Sequence, residues 1–502
     1  MTAPSEAQIV EAVTAKLTGS QGKTVPEAEL VRLLATLELE NDWTDVSAKR
    51  FHSVLSKNAL VDSPSTATTA TSNGEASTGA GAGGKKKKKS KTDAGVPRSY
   101  IDANVSIPPG VRAHYFDAVK GKGLVASRSF AEGELVFTEE AYIATPPPEA
   151  FDQVSSGELC AQCFLPVSSA PVQLAIKNCA KCKMRWCTSA CARTAMATHH
   201  TLLCTGLNPA AKPLVQLVQS QKWQSLHCVA RSLARLLSTL TPHNNGTASG
   251  KQSREQDDLI AAYGDFETVH ARLSSFATVS ELERRSRNPG WATEKASFEG
   301  ILAQAYTALC NALDPYADAR TSAPHPDPHH VQLDLIDAVK TRKGQIKDLF
   351  TYASFLKLLG RANVNMEKFG GLYSVHSFLN HSCAPNVQIR HVPERGILAS
   401  MKVAALALRP IAKDEELVIS YIDPSTRLGR RQLVLYRDYC FGPCTCPKCK
   451  QELNEVGLQY DPAKNSVKTF LDSVARKSNP DPQAQAAQDP SLEEELRASL
   501  GF

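Results

Sequence analysis

The chain has 502 residues, of which 42% are hydrophobic and 22% charged, and its net charge is +6 at pH 7. These values are ordinary for a soluble globular protein, and the length allows two to four domains. No apolar run approaches the ~20 residues of a membrane-spanning helix, and the N-terminus, with Glu6 and Glu11, is neither a signal nor a transit peptide. We therefore expect an intracellular protein with no membrane contact, whose fourteen cysteines indicate metal sites rather than disulfides.

The first hundred residues divide into a small helical module and a linker. In residues 1–60, apolar side chains recur at helical spacing, beginning with Ile9 and Val13. Residues 61–99 are rich in Ser, Thr, Ala and Gly and lack the apolar side chains that would offset the entropy of ordering, which predicts a flexible linker. Within it, the run Lys85–Lys91 is typical of a nuclear address or a sequence-blind contact with DNA; a solubilising tract is the alternative.

Residues 100–159 change to short β-type runs such as Leu124–Ala126 and Leu135–Phe137. Gly121-Lys122-Gly123 precedes the first run, and two glycines one residue apart allow positive φ and a close approach of the backbone to a ligand. The pattern lacks the third glycine and the following helix of a dinucleotide site, and an ordinary turn is the alternative.

Residues 160–204 carry a group of candidate metal ligands. Two Cys-x2-Cys pairs and one Cys-x3-Cys pair are followed by two adjacent histidines and a cysteine. A tetrahedral zinc ion takes four Cys or His ligands, and a two-residue gap lets one tight turn supply two thiolates. Seven cysteines and one histidine therefore predict two zinc sites. The residues concerned are Cys160, Cys163, Cys179, Cys182, Cys187, Cys191, His199, His200 and Cys204.

This stretch resembles a MYND zinc finger, with a longer gap than usual between the Cys-x2-Cys pairs and one residue fewer than usual between Cys182 and Cys187. The resemblance implies interleaved sites: the first and third cysteine pairs bind one zinc ion, and the second pair binds another together with a histidine and the last cysteine. Either His199 or His200 fits this role. His200 is preferred because His-x3-Cys places both ligands on one helical face, which leaves one extra residue between Cys191 and the histidine.

The densest group of polar residues is Asn380–Asn386, which reads Asn-His-Ser-Cys-Ala-Pro-Asn. Burying so many polar groups is costly unless each has a partner. The stretch follows an apolar run that ends at Leu379 and precedes a β-type run. It is therefore predicted to lie where the chain leaves the core and lines a site; a polar turn that happens to contain a cysteine is the alternative.

A second group of closely spaced thiols supplies three of the four ligands of a further zinc site: Cys444, Cys446 and Cys449. The fourth ligand must come from elsewhere, and the cysteines outside both groups are Cys228, Cys310, Cys383 and Cys440. Cys383 lies within Asn380–Asn386, so a shared zinc ion would hold the C-terminal segment over that stretch.

Together these elements resemble a SET-domain protein-lysine methyltransferase, and they occur in the family's order. They are Gly121–Leu124, Asn380–Cys383 with Pro385-Asn386, Glu415–Tyr421, and the Cys-x-Cys-x2-Cys motif that follows Tyr439–Phe441. A MYND finger inserted into the SET domain is similar to the SMYD group, and more similar to fungal MYND-containing proteins related to the yeast histone H4 methyltransferase. Only 53 residues follow Cys449, too few for the helical-repeat C-terminal domain of animal SMYD proteins.

The resemblance implies S-adenosylmethionine as methyl donor and a fold in which the Asn380 stretch and the Tyr421 strand cross in a pseudoknot. Tyr421 matches the family's catalytic tyrosine, Tyr439 a wall of the lysine channel, and Phe441 an aromatic ring near the adenine. An aromatic channel lowers the pKa of a lysine amine by desolvation, and the transfer needs no metal, so the zinc ions are expected to be structural. The cofactor-binding residues carried over are Lys122, Gly123, Asn363 (by a looser match), Asn380, His381, Tyr421 and Phe441.

The predicted function is therefore that of a histone-lysine N-methyltransferase, with the histone H4 tail favoured, acting on chromatin in the nucleus and with the cytoplasm as a second location. Four acidic residues near the predicted site suit a basic peptide substrate, or they simply belong to solvated turns: Asp414, Glu415, Glu416 and Asp423. Other expected partners are DNA at Lys85–Lys91 and a Pro-rich peptide at the MYND finger. The alternatives are methylation of a non-histone protein and a non-catalytic adaptor, which would be free to lose the site residues.

The predicted fold class is α+β, with three structural zinc ions. The predicted parts are a helical module (1–60), a linker (61–99), the N-terminal part of the SET domain (100–159), the MYND finger (160–204), a helical insert (205–350), the C-terminal part of the SET domain (351–425), a post-SET zinc motif (426–450) and a short helical or disordered tail (451–502).

Overall fold

The structure is a computed structural model that describes residues 4–18, 48–58, 96–169, 176–240, 263–288, 290–317, 337–367, 370–392, 401–461 and 466–478, with a few positions from 25 to 61. The chain divides into two compact units, Met1–Lys88 and Lys89–Phe502. The Lys85–Lys91 run lies outside the described residues. Among the helices within those residues, none is both long and apolar enough to cross a membrane.

The N-terminal unit is built on helices α1 (Glu6–Thr18) and α2 (Ala48–Lys57). Ile9 and Val13 of α1 are fully buried and share one apolar core with Leu55 of α2. The apolar spacing that begins at Ile9 therefore marks the buried face of α1.

Small β-sheets form one part of the larger unit. The strands are β1 (Val111–Tyr115), β2 (Lys122–Ala126), β3 (Leu135–Glu140), β4 (Lys177–Asn178), β5 (Arg185–Trp186), β6 (Asn380–His381), β7 (Val387–His391), β8 (Lys402–Ala407) and β9 (Glu416–Ile419). One sheet has the order β1-β2-β9-β6, in which only β6 and β9 are parallel. A second has the order β3-β8-β7, and β4 pairs with β5. Strands from both ends of the larger unit thus share the same sheets, which brings the glycine pair beside Asn380.

The two larger sheets enclose a common apolar core. Every residue of β2 is buried, whereas β8 alternates, with Val403, Ala405 and Ala407 facing inward. This period of two is typical of a strand with one packed face. Leu124 of β2 contributes a large side chain to this core. Phe378, which lies just before the Asn380 stretch, contributes another.

Helices form the second part of the larger unit, and most of them pack around one apolar core; α4 belongs to a smaller core beside the first group of cysteines. The central helix of the larger core, α7, is buried along most of its length. The helices are α3 (Phe151–Ser156), α4 (Ser189–Ala195), α5 (Thr201–Leu203), α6 (Lys212–Ser220), α7 (Gln224–Ser238), α8 (Phe266–Ser274), α9 (Glu281–Arg285), α10 (Trp291–Leu313), α11 (Asp337–Thr341), α12 (Lys343–Leu349) and α13 (Tyr352–Asn365).

The C-terminal segment adds α14 (Leu428–Asp438), α15 (Pro447–Glu455) and α16 (Val467–Ser478). Helix α16 falls within the predicted tail and packs Phe470 and Val474 into a small core that also contains Cys383. The C-terminal segment is thereby held next to the Asn380 stretch. With helices and small sheets of this kind, the predicted α+β class is confirmed.

Candidate active site and metal centres

Asn380 connects strand β6 to β9, which lies beside it, and to β2, the next strand of the sheet. Its side-chain amide donates to the carbonyl oxygen of Lys122 at 3.1 Å and to a carboxylate oxygen of Glu416 at 3.0 Å. A Cβ atom on Gly123 would lie 2.4 Å from the ring of Phe116 and 2.9 Å from the amide nitrogen of Asn380. Gly123 therefore has to lack a side chain so that β2 can approach Asn380 this closely.

Asn386, at the end of the same stretch, is buried and has a partner for each polar atom. Its oxygen accepts from the backbone N–H of Val418 at 2.8 Å, and its amide donates to the carboxylate of Glu415 at 2.9 Å and to the carbonyl of Glu416 at 2.8 Å. The stretch is thus anchored in the sheet and is not a solvated polar turn. Glu415 and Glu416 also line the cavity described below, and their carboxylates accept from the side-chain amides of Asn386 and Asn380. The suggestion that these glutamates suit a basic substrate therefore stays a prediction.

Tyr421 and Tyr439 form an aromatic pair, with ring centroids 4.9 Å apart. The hydroxyl of Tyr421 donates to the carbonyl of Leu379 at 2.8 Å, and the hydroxyl of Tyr439 donates to the carbonyl of Tyr421 at 2.9 Å. Burial raises the pKa of both hydroxyls, so both remain protonated at neutral pH. The ring of Phe441 lies 5.8 Å from that of His381 and completes the aromatic wall.

These side chains line a cavity of about 630 Å³, large enough for a small-molecule cofactor. The cavity gathers most of the predicted cofactor residues, and Gly123 lies beside Asn380 at its edge. The segment that carries the last group of thiols forms another part of its wall. The lining includes Lys122, Ser377, Asn380, His381, Tyr421, Tyr439, Phe441, Cys444 and Cys446.

Lys122 places a buried amine in this cavity. Its side chain is 2% exposed, and its Nζ donates to the hydroxyl of Ser377 at 2.9 Å. The same nitrogen lies 4.2 Å from the ring centroid of Phe378, within the range of a cation–π contact. Burial, and after it the nearby Arg272, lower the pKa of Lys122 to about 7. The charge of this amine is therefore sensitive to any anion that binds beside it.

Asn363 does not line the cavity. Its amide donates at 2.8 Å to the carboxylate of Glu281, which also accepts from Arg284 and Arg285 in a buried cluster. Asn365 lines the cavity instead. Residues two apart on a helix point about 200° away from each other, so only one asparagine of this Asn-x-Asn pair can face the site. The structure therefore corrects the looser of the predicted matches.

Two clusters of ligand atoms lie in the predicted finger, and within each cluster these atoms lie within 4.8 Å of one another. The sulfur atoms of Cys163 and Cys187 are 3.5 Å apart, and those of Cys179 and Cys204 are 3.8 Å apart. Zinc–sulfur bonds of ~2.3 Å give a tetrahedral edge of about 3.8 Å, so both donor sets fit a zinc ion. The first cluster contains Cys160, Cys163, Cys187 and Cys191, and the second Cys179, Cys182, His200 and Cys204.

The histidine in the second cluster is His200, whose Nε2 lies 3.6 Å from the sulfur of Cys182. The ring of His199 is used elsewhere, with its Nδ1 2.9 Å from the hydroxyl of Thr198. The turn Met196–His200 is a π-helix, which holds one residue more than an α-helical turn. The extra residue predicted upstream of the histidine is accommodated in this turn.

A third cluster joins the Asn380 stretch to the C-terminal segment. It contains Cys383, Cys444, Cys446 and Cys449, and the sulfur atoms of Cys383 and Cys449 are 3.5 Å apart. This donor set also fits a tetrahedral zinc ion. The other candidates for the fourth ligand lie outside the cluster: Cys228, Cys310 and Cys440.

Glu139 is a site residue that the sequence did not single out. Its carboxylate accepts the backbone N–H groups of Val375 and His376, each at 2.8 Å. It thereby anchors the turn that leads into Asn380, although burial raises its pKa. In the sequence, this role is indicated by a pair of glutamates at the end of an apolar strand, but such pairs are most often exposed.

Several known lysine methyltransferases are similar to this chain. A family model described as the SET domain matches residues 121–422. The chain is 65% identical to the histone-lysine N-methyltransferase SET5 of Mycosarcoma maydis over the full length of both. It is 26% identical to SET5 of Eremothecium gossypii over 68% of this chain and 60% of that protein. It is 25% identical to the protein-lysine N-trimethyltransferase SMYD5 of Homo sapiens over 69% of this chain and 88% of that protein.

Proposed function

The chain belongs to the SET-domain family of protein-lysine methyltransferases, and from this premise we propose that it transfers methyl groups from S-adenosylmethionine to histone lysines. One observation carries the proposal: a single cavity unites Asn380, His381 and Tyr421 with the aromatic rings of Tyr439 and Phe441. A non-catalytic adaptor would have no need to keep these side chains together.

We propose this cavity as the cofactor site. When bound, S-adenosylmethionine supplies a methyl group activated by its sulfonium centre. The buried amine of Lys122 suits the carboxylate of the cofactor's amino-acid end, because an anion there would restore the charge that burial disfavours. Asn380 and His381 lie in the wall of the cavity, and Phe441 supplies an aromatic ring for the adenine.

The remaining residues act on the lysine that receives the methyl group. A lysine amine has an ordinary pKa of ~10.4 and has to lose its proton before it can attack. Tyr439 and Tyr421 provide an aromatic wall that disfavours the charged amine by desolvation. The hydroxyl of Tyr421, held by the carbonyl of Leu379, provides a fixed oxygen close to the reacting atoms. Alignment of amine and methyl donor is the main contribution expected of the protein.

We propose one zinc ion in each thiol cluster, three in all. Each cluster supplies four ligands and leaves no open coordination position, which is typical of structural rather than catalytic zinc. The third ion would fasten the wall that contains Phe441 to the Asn380 stretch.

Histones are the favoured substrate because the relatives at 65% and 26% identity are named histone-lysine methyltransferases. The H4 tail, a nuclear location, a DNA contact at Lys85–Lys91 and a Pro-rich partner of the finger remain proposals from the sequence. Methylation of a non-histone protein is the second candidate, favoured by the similarity to SMYD5, whose name specifies only protein lysine.

Incubation of the purified chain with labelled S-adenosylmethionine and separated histones tests the proposal. Wild type should label a histone, with H4 favoured, and Tyr421→Phe should reduce the rate by ~10-fold or more, since the substitution removes the fixed hydroxyl oxygen. Tyr100→Phe, at a tyrosine that is 58% exposed, serves as the matched control and should retain full activity. Absence of label on every histone contradicts the histone substrate, and absence of cofactor binding contradicts the enzyme.

A further inference from the structure

The imidazole of His381 contacts both the backbone of Tyr421 and the third thiol cluster. Its Nδ1 lies 3.1 Å from the backbone nitrogen of Tyr421, and its Nε2 lies 3.3 Å from the sulfur of Cys383. A backbone N–H can only donate, so Nδ1 accepts and carries no hydrogen. The ring hydrogen is therefore on Nε2, which donates it to the sulfur of Cys383.

The sulfur that accepts this bond belongs to a cluster with an excess of negative charge. Cys383 is 2% exposed and lies with three other cysteines in a zinc-compatible arrangement. Four thiolates around one divalent ion leave net negative charge, which N–H donors stabilise. Arg431 provides a second donor to the cluster, with its Nη2 4.0 Å from the sulfur of Cys449.

The same imidazole also belongs to the wall of the cofactor cavity. Its ring lies 5.3 Å from the ring of Tyr421 and 5.8 Å from that of Phe441. Cys444 and Cys446 line the cavity as well. One side chain thus connects the thiol cluster, the cavity and the backbone of Tyr421, which lies just after β9.

We propose that the His381 side chain is a positioning residue that couples the third zinc ion to Tyr421. The zinc-bound sulfur of Cys383 holds the imidazole in one tautomer, and the imidazole in turn holds the backbone N–H of Tyr421. Loss of this zinc ion frees the ring to turn and removes the acceptor of that N–H. This inference rests on the proposed function and on the proposed third zinc ion.

Zinc release tests the first half of the coupling without any methyl transfer. His381→Phe removes both contacts, whereas His381→Asn keeps an acceptor near the position of Nδ1 but is too short to reach Cys383. In both variants, the rate at which a chelator removes the third zinc ion should be about 10–100-fold higher than in wild type. The two finger ions should be removed at wild-type rates. Unchanged release from the third cluster in both variants overturns the proposal.

Cys182→Ser provides the matched control for zinc release. It removes a ligand of the second finger cluster and should speed the loss of that ion only. Accelerated release from the third cluster in this variant would mean that any zinc loss loosens all three sites, which contradicts a specific role for His381.

Kinetics at saturating zinc test the second half of the coupling. His381→Asn should retain more of kcat than His381→Phe, because Tyr421 keeps its acceptor, and the KM for the peptide should be unchanged in both. On a logarithmic scale, the loss of kcat in the double variant His381→Phe, Cys383→Ser should be smaller than the sum of the losses in the two single variants. Equal kcat in the Asn and Phe variants, or fully additive losses, overturn the positioning role. A wild type without methyl transfer refutes the proposed function, while the zinc measurements still decide the contact with Cys383.

A further measurement reads the tautomer of His381 in the wild-type chain itself. With 15N-labelled histidine, the ring signal that is absent from the spectrum of His381→Asn identifies His381. It should show hydrogen on Nε2 and none on Nδ1. Hydrogen on Nδ1 overturns the proposal.

Discussion

At the scale of single residues, the site depends on polar side chains whose partners lie far away in the sequence. Asn380 donates to Glu416, and Asn386 donates to Glu415, so two amides fasten β6 and the following turn to the start of β9 and the residue before it. A buried amide without a partner costs ~1–3 kcal/mol, and each of these bonds therefore selects the arrangement of the strands as well as stabilising it.

Lys122 yields a prediction about pH and stability. Its pKa falls from 10.5 when exposed to about 7 in the folded chain, chiefly through burial. The unfolded chain therefore binds one more proton between pH 7 and 10.5, so the free energy of unfolding rises with pH through this window, by up to ~1.4 kcal/mol per unit. Lys122→Met should remove this rise, as seen in denaturation midpoints measured from pH 6 to 10.5.

The exposed Lys177 supplies the control for this experiment. Lys177→Met should leave the pH dependence of the midpoint as in wild type. A Lys122→Met curve parallel to that of wild type would mean that the Lys122 amine keeps an ordinary pKa in the folded state.

At the scale of elements, the π-helical turn Met196–His200 decides which histidine reaches the second cluster. Both histidines are buried, and adjacent residues on a helix point about 100° apart. A turn that is one residue wider rotates His200 toward Cys182 and leaves His199 against Thr198.

Substitution of the two histidines tests this assignment. His200→Ala should reduce the zinc content from three ions to two per chain, because the second cluster loses a ligand. His199→Ala is the matched control and should keep three ions at the cost of a small loss in thermal stability. Metal analysis of the two purified variants measures the difference. Loss of zinc from His199→Ala with retention in His200→Ala would reverse the assignment.

The C-terminal segment yields a prediction about the third cluster. Cys383→Ala should lose one zinc ion and at least 10-fold in methyl transfer, because the segment that carries Tyr439 and Phe441 is no longer fastened to the Asn380 stretch. The two finger ions should remain.

Cys310 offers a control for that substitution, since it lies in the helical core and outside every thiol cluster. Cys310→Ala should keep three zinc ions and full activity. Retention of the third ion by Cys383→Ala would show that another group completes the site.

At the scale of the whole molecule, the SET sheets are assembled from strands on both sides of the finger and the helical insert. Strand β2 pairs with β9, which lies almost three hundred residues further along the chain. The finger and the helices are therefore insertions between parts of one β structure, and the site exists only when both parts have met.

The lysine run allows a prediction for the chain on chromatin. Deletion of Lys85–Lys91 should weaken nucleosome binding at low salt by ~10-fold and make binding less dependent on salt, because contacts with phosphates are lost. Methylation of a free histone peptide should be unchanged. Replacement of the same lysines by glutamine keeps the length of the segment and should have the same effect. An equal loss on nucleosome and peptide would show that the run does not act through DNA.

How much the sequence predicts depends on whether a feature is local. The cysteine pairs, the Gly-x-Gly element and the Asn380 stretch are local patterns. The spacing of the cysteines indicates metal binding by itself, whereas the cofactor roles of the other two patterns follow from the resemblance to the SET family. Asn363 was the sequence-based match, and Asn365 lies only two residues further along the same helix. What separates them is the tertiary position: Asn363 bonds to Glu281, whereas Asn365 lines the cavity.

By itself, the sequence determined the family, the α+β class and the residue types that bind metal, because these follow from motif order, hydrophobic periodicity and ligand spacing. The sequence also indicated Cys383 and His200 as ligands, and both lie in the expected clusters. The tertiary structure alone decided that Asn365 rather than Asn363 lines the cavity, and that the carboxylates of Glu415 and Glu416 accept from the amides of Asn386 and Asn380. The physical reason is that each of these outcomes depends on which groups lie within bonding distance once distant segments pack together. Spacing along the chain carries no information about that distance.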